Sequence, residues 1–137
     1  MNLPSGLYAE LAATTDLTAY VNTRIYPMIA PQPAALPYIV YHKISDVRIH
    51  AMKEDVDLYH PRMQIATFST SYLQAHQIAD VVESTLKDFS GVLGSSDQPT
   101  VQRCFFDNET EFSTYDELTG KITFGVYQDY IIWHTTD

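Results

Sequence analysis

From Ser71 to Phe89, apolar residues recur at helical spacing: Ala75, Ile78, Val82, Leu86 and Phe89. Gln74, Gln77, Asp80, Ser84 and Lys87 fill the other turns. A stripe of this kind needs a second layer to cover it, so this helix limits the fold more than any other segment. Ser71 followed by Gln74 fits a capping box and marks the helix start. The chain on either side alternates instead. In Arg62-Met63-Gln64-Ile65-Ala66-Thr67-Phe68, Met63 and Ile65 face one way while Arg62 and Gln64 face the other. From Lys121 to His134, the residues Ile122, Phe124, Val126, Tyr130 and Ile132 share one parity. A helix set between alternating segments is a helix lying on a sheet.

The rest of the chain fills in around that pair of layers. Leu7, Leu11 and Ala12 define a helix from about Ser5 to Ala13, with Ser5 as its cap. Asp16 caps a second short helix through Leu17, Tyr20 and Val21. Tyr38 to about Ile49 reads as a strand, apolar on both faces at its start and therefore covered on both sides there. Lys53–Asp57 is a polar connection and Gly91–Pro99 a loop. A further strand runs near Val101 to Phe112, and Asp116–Gly120 turns into the last one. The expected fold is a single α+β domain spanning residues 1–137. Its four-stranded antiparallel or mixed sheet carries the helices on one face, in the order α-α-β-β-α-β-β. Ile65, Ile78, Val82, Leu86, Phe124, Val126 and Tyr130 are the expected core.

A domain of 137 residues buries enough surface to need neither a disulfide nor a metal, and the one cysteine, Cys104, has no intrachain partner. The N-terminal residues lack the pattern of a signal peptide, and no stretch approaches the roughly 18 apolar residues of a membrane span. A soluble intracellular protein with no membrane partner is expected. Seventeen acidic against eight basic residues give a net charge of −9, which argues against a surface that grips nucleic acid. It leaves room for a surface past which DNA slides without specific binding.

No catalytic, cofactor or metal site emerges from the residues. His42, His50, His60, His76 and His134 form no close ligand pair. Cys104, beside Phe105 and Phe106, reads as a small buried apolar residue rather than a nucleophile. The stretch after Phe89 lacks the lysine and spacing of a phosphate loop. Two acidic groups stand out: Glu54, Asp55 and Asp57, and then Asp107, Glu109, Glu111, Asp116 and Glu117. Alternation would let Asp107, Glu109 and Glu111 form a row on one face. The row is either a solvated hairpin or an acidic surface aimed at a lumen or a partner.

Pro27, Pro31, Pro33 and Pro37 precede Tyr38-Ile39-Val40-Tyr41. Prolines hold the chain extended without needing a hydrogen-bond partner at each residue, and they blunt an exposed sheet edge. The order Arg24-Ile25-Tyr26-Pro27, Ala30-Pro31, Leu36-Pro37-Tyr38-Ile39-Val40-Tyr41 resembles the small tail-completion, or tail terminator, proteins of long-tailed phages and prophages. Leu7-Tyr8-Ala9-Glu10-Leu11 is similar to the family's opening helix and Met63-Gln64-Ile65 to its second strand. Tyr72 to Leu86 resembles its central helix, and the aromatic strand ending at Trp133 its last. The resemblance thus covers nearly the whole chain.

That resemblance implies no enzymatic activity and no cofactor. It implies a virion structural protein, made in the host cytoplasm, that forms a ring, usually a hexamer, at the head-proximal end of the tail. Its partners would be copies of itself, the tail tube protein and the head-side connector. Tyr26, Pro27, Arg48 and Arg62 are candidates for contacts between subunits or with those partners. The two acidic groups, Glu54, Asp55 and Asp57 with Glu109, Glu111, Asp116 and Glu117, are candidates for the lumen or its rim. The alternatives are another head–tail connector component, a tube subunit, or an α+β domain that binds or hydrolyses a small molecule.

Overall fold

The computed structural model describes residues 3–31, 35–46, 48–50, 55–92 and 100–134. The central helix, α3 (Tyr72–Leu86), is preceded by α1 (Leu3–Ala13) and α2 (Thr15–Val21). Ser71 caps α3 by accepting the Gln74 backbone N–H at 3.3 Å. The reciprocal half of the box runs through Ser69, whose Oγ donates to Gln74 Oε1 at 2.6 Å and accepts from Ser71 N at 3.1 Å. The caps assigned to the first two helices fall elsewhere. Ser5 lies inside α1, and Thr14, not Asp16, precedes α2. The Thr14 hydroxyl donates back to Glu10 O at 2.9 Å, so it closes α1 instead of capping α2.

Among the described residues, eight strands form one sheet: β1 (Ile25–Pro27), β2 (Tyr38–Ser45), β3 (Arg48–His50), β4 (Asp55–Tyr59), β5 (Arg62–Ser69), β6 (Gly91–Val92), β7 (Thr100–Asp116) and β8 (Lys121–His134). They occupy six rows. The pairing Ser45↔Arg62 runs on into Arg48↔Tyr59, so β3 continues β2 and β4 continues β5. Arg62↔Ile131 likewise runs on into Tyr59↔His134. The rows are therefore β1, β2 with β3, β5 with β4, β8, β7 and β6. Among the described residues only β1–β2 is parallel, which makes the sheet mixed.

Six rows replace the expected four, and both additions come from segments read as connections. Ile25–Pro27 adds an edge from the proline-rich segment, and Gly91–Val92 adds one from the loop after α3. Edge strands of two or three residues are too short to show a period, so alternation cannot reveal them. Asp55 and Asp57, assigned to a polar connection, lie on β4, while Glu54 falls outside the described residues.

Helices α1, α2 and α3 cover one face. Leu3, Leu7 and Leu11 succeed each other at four-residue spacing along α1. With Leu17, Val21, Ile78, Val82 and Leu86 they meet Ile39, Tyr41, Met63, Ile65, Cys104, Tyr130 and Ile132 from the sheet. Each such side chain contributes about 1.5–3 kcal/mol when fully buried. Of the seven expected core residues, six are buried; Phe124 is half-buried and packs on a small satellite of Ala75, Ala79 and Val126. Arg24 fastens the crossing from helices to sheet: Nε donates to Pro37 O at 2.8 Å and Nη2 to Tyr20 O at 3.3 Å.

Candidate functional site

The face of the sheet away from the helices carries a line of rings. Tyr26 on β1 meets Tyr38 edge-on at 6.0 Å, and Tyr38 meets Phe68 on β5 at 5.1 Å. Phe68 contacts both Tyr127 on β8 (6.0 Å) and Phe112 on β7 (5.7 Å). Phe112 and Tyr127 stack at 5.1 Å, only 5° from parallel. The line crosses five rows, and aromatic pairs of this kind hold more than their buried area alone. Partial burial raises the phenol pKa values of Tyr38 and Tyr127 above their ordinary value.

Above this line the curled sheet forms an open groove of about 670 Å³. Its walls include Met28, Ile29 and Pro31 after β1 on one side and Asp116 and Lys121 of the last hairpin on the other. The floor mixes Val40 and Ala66 with His42 and Gln64. No pair of carboxylates and no nucleophile with a neighbouring base lines the groove among the described residues. Nor, among those residues, do any three of His, Cys, Asp and Glu converge as metal ligands.

Arg62 stands on the same face, where Nη1 lies 2.6 Å from Asp107 and 3.4 Å from Asp129. Its hydrogen bond to Asp107 raises its already high pKa, so the guanidinium stays charged. This candidate contact residue is thus already engaged within its own chain. Tyr26 is half-buried in the aromatic line, Pro27 is exposed at the end of β1, and Arg48 lies on β3.

The acidic run on β7 does not form one row. A bulge between Phe106 and Asn108 inserts a residue and reverses the facing of the strand beyond it. Asp107 therefore reaches Arg62 on the open face. Glu109 accepts from Gln128 Nε2 at 3.1 Å, on the helix side. Glu111 faces α3, where it accepts the Tyr72 hydroxyl at 2.9 Å. That bond raises the Tyr72 pKa. His76 Nε2 is 3.2 Å from Glu111 Oε1 but is not aligned for a hydrogen bond, which leaves it buried without one.

Beyond the pairing Ser69↔Phe124, β7 and β8 continue as a two-stranded arm. Its turn is closed by Gly120 N donating to Asp116 O at 2.7 Å, with Gly120 at φ +72°, where glycine is favoured. Asp116 Oδ1 accepts from Leu118 N at 3.0 Å. Glu117 is exposed there, beside Leu118, which is 97 % exposed.

Two parts of this arrangement escape a reading of the residues by themselves. One is the aromatic line, although its signal was present: Phe68 and Tyr127 lie on the parity opposite to the core set. The other is Gln128, buried on the core parity, whose amide bridges Ala79 O on α3 (3.0 Å) and Glu109 and accepts from Tyr130 Oη at 3.2 Å.

The family described as "Tail completion protein gp17" matches residues 5–134. Among solved structures, a chain from the virion of a native gene transfer agent particle superposes with a TM-score of 0.71. The two are 17 % identical over 97 % of this chain and 94 % of that one. At that identity the likeness is one of fold. No curated protein sequence matches the chain.

Proposed function

This chain belongs to the tail completion protein family, and from that premise we propose that it is a non-enzymatic structural protein of a phage tail. In this reading it is a tail-terminator domain. Copies assemble into a ring, most simply of six, that caps the tail tube and joins it to the head connector. The protein waits in the host cytoplasm and ends in the virion. The observation that carries the reading is the family match over nearly the whole chain. The fold shared with a virion component supports it.

A closed ring needs a heterologous contact between unlike surfaces of neighbouring subunits. Tyr26, Pro27 and Arg48 lie at or beside the β1 side of the sheet, and the β7–β8 arm lies at the other. A ring of six would carry an excess of nine negative charges per subunit, about 54 in all if all groups ionise normally. An acidic channel repels phosphate, so DNA passes without being held. Asp116 and Glu117 at the turn of the arm would supply that charge at the rim, with Glu109 and Glu111 behind them on the helix side of β7 and Glu54, Asp55 and Asp57 as a second source.

Electron microscopy of particles made without this gene tests the reading. Overlong tails, or separate heads and tails, are expected. Normal joined particles would overturn it, and a defect confined to the head would favour the head-side connector alternative. Replacing Asp116 and Glu117 by Lys tests the channel: slowed DNA ejection at low salt from normally assembled particles is expected, and unchanged ejection removes the lumen role.

A further inference from the structure

We infer that two unpaired sheet edges of opposite charge, β7 beyond its bulge and the far end of β2, pair with one another between neighbouring copies of this chain. The inference rests on the ring reading above and specifies its contact.

The sheet ends differently on its two sides. On β7, the outer edge is covered only near its start. β6 pairs with Thr100 and Val101, and Asp88 N donates to Cys104 O at 2.9 Å. From Asn108 to Asp116, β7 is regular and pairs with β8 on its inner side. No strand among the described residues meets its outer side. A regular strand with one free side presents backbone N–H and C=O groups that a further strand can satisfy.

On the opposite side, β1 pairs with β2 only from Ile39 to Tyr41. Past that point, Lys43–Ser45 and its continuation β3 pair inward with β5 and β4, and no strand among the described residues covers them outside. Ile44 is 47 % exposed there.

Charge selects among the partners these edges could take. Between Asp107 and Glu117 the chain has five acidic residues and no basic one, so two β7 edges would set like charges opposite each other. The stretch His42–His50 carries Lys43, Arg48 and two histidines against a single acid, Asp46, which pairs with Lys43 at 3.0 Å; two basic residues less one acid leave it a net charge of +1 with the histidines neutral. β1 is the poorer mate, with three residues of which one is Pro27, lacking an N–H. The pairing that meets both the backbone and the charge requirement is the acidic edge of one copy against the basic edge of the next. It is heterologous, as a ring requires.

Cysteine scanning in assembled tails tests this. Ile44→Cys would be combined in turn with Asn108→Cys, Thr110→Cys, Ser113→Cys and Thr114→Cys, which sample both faces and several registers. Under mild oxidation at least one combination is expected to give a ladder of covalent multimers on a denaturing gel, collapsed by reductant, while each single substitution stays monomeric. Rings visible at the tail end but no ladder from any combination would overturn the edge pairing and leave the ring reading intact. Dimers from single β7 substitutions would also overturn it, by showing β7 against β7. Tails lacking any ring would sink the function reading itself.

Discussion

Phe112 and Gly125 sit opposite each other across β7 and β8, and the Phe112 ring fills the space a Cβ at position 125 would take. The ring cannot move aside cheaply. It is stacked on Tyr127 and edge-on to Phe68. Gly125→Ala is therefore expected to destabilise the domain by about 1–3 kcal/mol in chemical denaturation. In Phe112→Ala the obstruction is gone, and Gly125→Ala should then cost much less. Equal costs in both backgrounds would show that the close approach is not what holds glycine here.

Gln128 is buried between α3 and the sheet, and its amide has a partner on each side: Ala79 O, Glu109 and the Tyr130 hydroxyl. Gln128→Leu keeps most of the volume and leaves the Tyr130 hydroxyl and the Ala79 carbonyl without this partner. A loss of about 1–3 kcal/mol is expected. Pairing the substitution with Tyr130→Phe, which removes the stranded hydroxyl, should recover part of it. Denaturation of the single and double variants measures both.

How much the residues disclosed by themselves depends on how far each signal extends along the chain. The fifteen residues of α3 repeat their stripe often enough to fix the helix, its cap at Ser71 and the face that meets the sheet. Met63, Ile65, Val126 and Tyr130 were placed by alternation because β5 and β8 are long and covered on one side. β1 and β6 were not, since neither completes a period. The β7 bulge was hidden for another reason. A one-residue insertion leaves the alternation on either side looking continuous, yet it sends Asp107 and Glu109 to opposite faces. The candidate surface was thus legible as composition, an acidic hairpin with basic residues elsewhere. Its geometry depended on backbone irregularities that composition does not encode.

Leu86 and Arg62 separate burial from charge. Leu86 is enclosed at the end of α3, and Leu86→Ala should cost about 2–5 kcal/mol. Arg62 makes two ion-pair contacts, but its side chain and that of Asp107 stay in reach of solvent. Exposed pairs contribute about 0–1 kcal/mol, so Arg62→Met should change stability by no more than that, with the difference shrinking further in high salt. Denaturant midpoints at two salt concentrations check both. A larger loss for Arg62 than for Leu86 would mean that the open-face network, not the helix–sheet core, holds the domain together.

Cys104 on β7 is enclosed in the helix–sheet core, and burial, with Asp88 nearby adding to the effect, pushes its thiol from 9.0 up to about 12. At pH 8 about one thiol in ten thousand is then ionised, and the thiolate is the reactive form. Alkylation of the native protein should be slower than in denaturant by a factor of about a hundred or more. The same burial couples to stability. The fold favours the neutral thiol, and the buried Tyr130 phenol is shifted upward for the same reason. Their contribution is complete below the ordinary pKa values, 9.0 for the thiol and 10.0 for the phenol. It is lost as pH climbs from about 9 towards the raised values. Stability should therefore decline from about pH 9 upward. In Cys104→Ala the thiol's share of that slope disappears even though the variant starts from a lower stability. Urea midpoints from about pH 7 to about pH 11 for both proteins decide it, and parallel slopes would show that Cys104 is open to solvent in the folded state.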